Sequence, residues 1–440
     1  MPKHEESQED TKMEEEEEKV EFVQCRFKTN IKNEDYHVEE DIIDISSQTT
    51  RKMLTKMIHS LLDNDIPKKT KFEFLINGRM LRGTIAEMMK LMNLSNDEIV
   101  EITYTFAMHK PKEDEKIEND EWIKVIKSIF VFEERKKPGA FAAGFFDGTV
   151  KLYDEEGEVV YNKQLHEDVV NDIIFQKESK DNWSLITAGE DAEIGFHKLS
   201  REDGEIKDRR IATILQQANA LSFCPTNSEM ITLAGNDTLL KIYDSSADVL
   251  AKYQEKETTS HKRTKTTVAY LKPVAKIGGN SHPVNCLKWI NNSEIVTGGY
   301  DHALRIFNVD REELASSIFT NNKAITCIDS VKDNVLVGCE DHAVRLWDIR
   351  SNSTDPVKVF KGHNGWVSSV QMNPSSDYHF ISSAYDSRTL VWDFRCDEPL
   401  YKIGLSPAEK IFASSWNSSS SIISGGDTGM LQVHKVKSTD

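Results

Sequence analysis

The stretch Asp341-His342-Ala343-Val344-Arg345-Leu346-Trp347-Asp348, with Lys361-Gly362-His363-Asn364-Gly365-Trp366-Val367 close behind it, decides the fold. Asp341 stands where a tight turn belongs. Val344, Leu346 and the Trp347-Asp348 pair then alternate as a half-buried strand does, and Gly362-His363 opens the next apolar strand. Gly-His openings and Trp-Asp closes recurring at about 40 to 45 residues mark four-stranded blades of a propeller.

Turn aspartates ahead of an alternating strand recur at Asp147, Asp191, Asp237, Asp301, Asp341, Asp386 and Asp427, in steps of 44, 46, 64, 40, 45 and 41 residues. Five steps fit one period and the long one carries an insertion, so seven blades are expected over residues 120–437. Tyr153-Asp154 and Tyr243-Asp244 stand for Trp-Asp in the first and third blades. Phe196-His197 makes the second the weakest, and Thr428 holds the slot for the turn acid in the seventh. Residues 245–272 read as a polar insertion between blades 3 and 4, expected to be disordered, whose basic run His261-Lys262-Arg263-Thr264-Lys265 suits a nuclear-localisation patch or an RNA contact. After Val433-His434 too little chain remains for a fourth strand. Part of Lys112 to Glu118, within an otherwise linker-like 106–119, is therefore expected to close the seventh blade, although Ile117 is its only apolar residue.

His363, Ser382, Asp386 and Trp392 fall where one blade can join them by hydrogen bonds. A serine, a histidine and an aspartate invite a catalytic reading. Their spacing is that of the repeat, so a buried set internal to the blade is the reading adopted. With no phosphate loop, nucleophile elbow or zinc-ligand spacing, no enzyme, no cofactor of its own and no small-molecule substrate is expected. Tyr300, His302, His342, Tyr385 and Arg388, beside the turn aspartates, are candidate partner contacts and equally candidate solvated loop residues.

The 73 acidic residues against 55 Lys and Arg give a net charge of −18. Part of it lies in residues 1–19, read as an acidic disordered tail that includes Glu14 to Glu18. Broad phosphate contact needs Lys and Arg, so partners are expected to be proteins. Cys25, Cys224, Cys286, Cys327, Cys339 and Cys396 form no C-x-x-C pair and read as reduced thiols. No apolar run nears 18 residues, and neither a membrane span nor a signal peptide is expected.

Residues 20–105 read as a second, α+β domain. Val23, Cys25 and Phe27 alternate as a first strand and Tyr36-His37-Val38 as a second. Met53, Leu54, Met57, Ile58, Leu61 and Leu62 mark one face of a helix capped by threonine. Phe72 to Ile76, the Asn77-Gly78 turn, a short helix after Thr84 and a strand from Glu98 to Tyr104 complete the order of the ubiquitin fold. The whole is mostly β: a seven-bladed β-propeller preceded by a ubiquitin-like domain.

The repeats resemble the WD-repeat family. Phe72 to Arg82, Leu94 to Glu98 and Asp120-Glu121-Trp122-Ile123 resemble the Notchless-like family, and seven blades with an insertion after the third resemble its branch in the pescadillo (PeBoW) complex. That resemblance implies a scaffold and assembly factor of the large (60S) ribosomal subunit, acting in pre-rRNA maturation in the nucleus, nucleolus and nucleoplasm. It implies as partners the block-of-proliferation protein, pescadillo, the midasin AAA ATPase and the pre-60S ribonucleoprotein. It also implies that a loop carboxylate, Asp97 first and Glu98 as fallback, completes a divalent-ion site, magnesium by expectation, that belongs to midasin. The alternatives are a substrate receptor of a ubiquitin ligase and the eight-bladed Notchless paralogue.

Overall fold

The computed structural model describes residues 21–436 apart from 32, 40, 63–69, 96–97, 129–139, 155, 178–181, 203–204, 225–228, 247–248, 250–270, 321–322, 352, 405–408 and 418–420. The acidic tail, the basic run 261–265 and Asp97 lie outside the described residues. The chain folds as two compact units, one through Ala107 and one from Met108. No helix among the described residues is long and apolar enough to cross a membrane.

The first unit runs β1 (Phe22–Thr29), β2 (Ile42–Ser46), α1 (Arg51–Leu61), β3 (Phe72–Ile76), β4 (Arg79–Met80), α2 (Ile85–Met92) and β5 (Val100–Phe106). Its sheet has the order β2-β1-β5-β3-β4 with β1 and β5 parallel, which is the ubiquitin arrangement. Alternation puts Val23, Cys25 and Phe27 on the inner face with Phe74 and Ile102, against Leu54 and Ile58 of α1. Burial there, with Asp44 adding to it, pushes the Cys25 thiol up to about 12. All six cysteines are free.

Three local readings change. Tyr36-His37-Val38 is not the second strand: Glu34–Tyr36 is a 3-10 turn opened by Asn33, whose side-chain oxygen accepts from the Asp35 amide at 3.1 Å. The Tyr104 hydroxyl replaces a ladder there, donating to the Tyr36 carbonyl at 2.7 Å and accepting from the Val38 amide at 3.1 Å. Thr50 makes no side-chain cap on α1. The reciprocal cap is on α2, where Thr84 Oγ1 accepts from the Glu87 amide and Glu87 Oε2 from the Thr84 amide. Met53 and Leu61 are exposed, and the buried face of the helix is Leu54, Ile58 and Leu62.

The second unit is seven four-stranded antiparallel sheets, not eight. Their first strands, Ile123–Ser128, Val170–Lys177, Ala220–Phe223, Val284–Trp289, Ile325–Val331, Val367–Met372 and Ile411–Asn417, line one central channel of about 820 Å³. The outer strand of the seventh sheet is β6 (Lys112–Ile117), antiparallel to Leu431–Lys435, so the ring is shut by chain that precedes it. The insertion lies inside blade three, not between blades 3 and 4: it leaves after Leu240–Asp244, and Ala275–Ile277 returns as that sheet's outer strand. Buried Leu271 packs against the core shared with blade two, which fixes the point of return.

One apolar cluster fills each of the seven gaps between neighbouring sheets. Around the channel a polar contact also bridges every gap in turn. Lys127 pairs with Asp172 (3.0 Å), and Asp172 accepts from the Leu221 amide (2.9 Å). Ser222 accepts from the Trp289 amide (3.4 Å), Lys288 pairs with Asp329 (2.8 Å), and Asp329 accepts from the Met372 amide (2.8 Å). Gln371 accepts from the Trp416 amide (2.6 Å), and Ser415 from the Ser128 amide (3.2 Å).

The turn aspartates of blades two to six are satisfied in two ways, while Asp147 takes the Thr149 hydroxyl and Asp427 the Lys410 amide. In blade six His363 Nδ1 lies 3.2 Å from both Asp386 oxygens and Nε2 2.7 Å from Ser382 Oγ, which also accepts from Trp392 Nε1 at 2.8 Å. Blade two, the weakest in sequence, has the same arrangement in His166, Thr187 and Asp191. Blades three, four and five have no such histidine, and a base four residues on takes its place: Lys241 on Asp237, Arg305 on Asp301, Arg345 on Asp341. Gly195 and Leu390 occupy that position in the two histidine blades.

Burial holds the His166 imidazole below its usual value near 6.5, against the pull of Asp191. His434, buried beside Glu113, is lowered for the same reason. The neutral rings are the folded form, so the unfolded chain takes up protons first as pH falls. This contribution to stability is complete above about pH 6.5 and is lost as pH drops through the window below it. The melting midpoint is expected to fall between about pH 7.5 and 5.5, and to fall less in His166→Gln, which keeps a side-chain amide for Asp191. An equal fall in wild type and variant would remove His166 from this account.

Candidate interaction surface

In blades one to six the turn aspartate accepts from the amide two residues on, as Asp147 does from Thr149 at 2.9 Å and Asp191 from Glu193 at 3.0 Å, and in blade seven Thr428 Oγ1 accepts from the Met430 amide instead. The residue between them is left-handed in blades one to six: Gly148, Ala192, Thr238, His302, His342 and Ser387. In blade seven it is Gly429, one place later, because Thr428 holds the turn position. His302 and His342 are thus turn formers. His302 is half-buried, His342 exposed, and Arg388 is half-buried with its amide on Asp386. None of these three lines the channel.

The residue before the turn reaches the channel mouth. Tyr300 and Tyr385 do so, and with them comes a group that the sequence reading left unassigned. Trp122 lies 5.5 Å from Phe146, Phe146 5.6 Å from Phe412, Phe412 5.4 Å from Tyr385, and Tyr385 6.1 Å from Trp366, centroid to centroid. These five rings form an unbroken arc across blades one, seven and six. Trp122 and Trp366 are each about half exposed, at 50% and 52%. Lys124 and Lys410 lie over Phe146 and Tyr385, both at 5.8 Å. Burial pushes the Lys124 ammonium down, opposed by Glu190, and pushes the Tyr385 phenol up, with Tyr300 adding to it. The signal was available: Phe146 and Tyr385 immediately precede turn aspartates, while Trp122 and Trp366 immediately precede buried Ile123 and Val367.

The histidine sets are closed in themselves. Ser382 is fully buried and its oxygen is engaged by both His363 and Trp392. Among the described residues no three His, Cys, Asp or Glu side chains gather as a metal site.

In the first unit α2 ends on Asn93, left-handed at φ 54°, and Leu94 packs against the core. The loop that follows carries exposed Glu98, whose amide donates to the Ser95 carbonyl at 3.3 Å, and the chain re-enters the core at Val100. Exposed Leu91 and Ile99 flank this acidic turn.

The NLE (NUC135) domain model matches residues 23–89, and the WD domain, G-beta repeat model matches 271–308, 313–348 and 354–393. Proteins named ribosome biogenesis protein WDR12 homolog are similar along almost the whole chain. The one from Nematostella vectensis is 24% identical over 423 residues, 94% of this chain and 99% of its own length. That from Trichoplax adhaerens is 25% identical, covering 96% and 98%, and that from Chlamydomonas reinhardtii 26%, covering 90% and 94%. The chain thus carries an NLE domain followed by WD repeats, an organisation consistent with the Notchless-like WD-repeat family.

Proposed function

We propose that this chain is a non-enzymatic scaffold for assembly of the large ribosomal subunit, working in the nucleolus and nucleoplasm. The name shared by its full-length relatives supports the assembly role. The aromatic arc carries the scaffold reading: contiguous rings at one rim, with Trp122, Trp366 and Tyr385 exposed and Phe146 and Phe412 half-buried, are what a protein partner covers, and aromatic anchors dominate binding energy at such surfaces. The partner assigned to the arc is the block-of-proliferation protein, with pescadillo held through it.

The first unit is the handle for release. Its acidic stretch is flanked by Leu94, packed on the core, and by buried Val100. A carboxylate oxygen there, from Asp97 or else Glu98, suits the open position of a hard divalent cation such as magnesium. In this reading the cation belongs to midasin, and Leu91 and Ile99 supply apolar contact around it.

Depleting the chain is expected to lower free 60S subunits and leave 40S output unchanged. A copy carrying Trp366→Ala and Phe412→Ala should fail to restore them and should bind the partner at least about 30-fold more weakly, while Phe319→Ala, at an exposed ring on blade four, binds normally. Normal 60S levels after depletion would contradict the assembly role, and full affinity in the double variant would move the partner off the mouth. For the loop, Asp97→Ala is expected to abolish capture of the midasin adhesion domain with the propeller partner still bound. If only Glu98→Ala abolishes capture, the ligand is Glu98, and if neither does, the loop is not the contact.

A further inference from the structure

The chain enters the propeller from the first unit through the strand that closes the ring. Met108 packs into the core of Ile381, Trp416 and Val436, and its carbonyl accepts from the Tyr401 hydroxyl at 2.6 Å. β6 follows from Lys112 and is hydrogen-bonded on one side only, with a register shift between its pairs to Val433 and His434. It buries none of its side chains. The other six outer strands each bury at least one: Tyr161, Ala212, Ala275, Ile318, Phe360 and Ile403. Its ion pairs, Lys116 with Glu113 and Lys435 with Asp114, are solvent-exposed and hold little.

Beyond β6 the chain is fastened again. The Asn119 amide and Nδ2 donate to the Gly429 carbonyl at 3.1 and 3.2 Å. Its Oδ1 accepts from Lys151 Nζ at 2.8 Å and the Tyr153 hydroxyl at 2.9 Å. One side chain therefore ties blade seven to blade one. The aromatic arc crosses this same seam, with Trp122 and Phe146 on blade one and Phe412 on blade seven.

We propose that residues 108–119 are a mechanical clasp: tension between the first unit and the propeller peels β6 and opens the seam between blades seven and one before either unit unfolds, dividing the aromatic arc. The load meets Met108 first, then the β6 pairs one after another from Lys112, then Asn119. Peeling β6 uncovers Met108 and Ile117, and opening the seam uncovers the nine-residue cluster behind it, whereas unfolding the first unit uncovers a core of 18 residues. A pull on one domain is thereby converted into release of what the ring holds. The identity of the puller and of the cargo rests on the function proposed above, but the opening of the clasp does not.

The test is force spectroscopy on the full chain, with one handle at the N-terminus and the other at the exposed turn Asp310-Arg311 of blade four. The first event should be a short step of at most roughly 40 Å, the length of about twelve extended residues. Asn119→Ala should lower its force. Lys116→Cys with Gln432→Cys, at directly opposed positions, should abolish the step when oxidised and restore it when reduced. With the propeller's partner bound, the partner should leave at that step. A first event as long as the whole first unit, or a step indifferent to the disulfide, would overturn the clasp. Loss of partner binding in Trp366→Ala without force tests the mouth separately.

Discussion

A sheet set radially in a ring has no free face, and everything else in the propeller follows from that. Each sheet must give alternate side chains of one strand to two different cores. Ile422 enters the core shared with blade six and Ile423 the core shared with blade one. Phe380 and Ile381 divide in the same way between blades five and seven. The seven cores are equivalent only when the last sheet meets the first. Their apolar burial, at about 25 cal/mol per Å², thus depends on a closing strand that itself contributes almost none.

Polar groups are handled under the same constraint. The turn aspartates need donors: in blades two to six an imidazole from the preceding loop or a base four residues along the strand supplies one, Asp147 takes the Thr149 hydroxyl and Asp427 the Lys410 amide. The repeat signature can therefore decay without loss of structure. Blades three, four and five lack the histidine and keep their turns by ion pairs, and the residue before the turn lines the mouth in them as it does in the two histidine blades. Tyr300 and Tyr385 in blades four and six line the mouth with Glu190, Asn236 and Glu340 in blades two, three and five, and Phe146 of blade one packs on Phe412 beside it.

Blade count and architecture were legible because the turn aspartates keep a period even where Trp-Asp is lost. Strand detail was less so. Residues buried on both faces give runs such as Phe141–Phe145 with no alternation to read. Tyr36-His37-Val38 looked like a strand because its apolar side chains pack on the core, but its backbone groups go to Tyr104. Blade two looked weakest from Phe196-His197, while its His166–Thr187–Asp191 set lies in positions outside that signature. The insertion was placed after blade three because no apolar pattern marks the three-residue return strand Ala275–Ile277. The arc was unread as a surface because its two halves, joined by Trp122 and Phe412, lie about 290 residues apart along the chain at that junction and meet only on closure.

Closure is open to direct observation by amide hydrogen exchange of the full chain. The Lys112–Ile117 strand has one partner, Leu431–Lys435, and its ladder amides have no other acceptor in the sheet. The account predicts slow exchange in both segments, with 112–117 opening first and 431–435 retaining the protection of its second neighbour, Ser421–Gly426. Exchange of 112–117 at the rate of free chain, with 431–435 still protected, would mean that the seventh sheet is not closed by this strand.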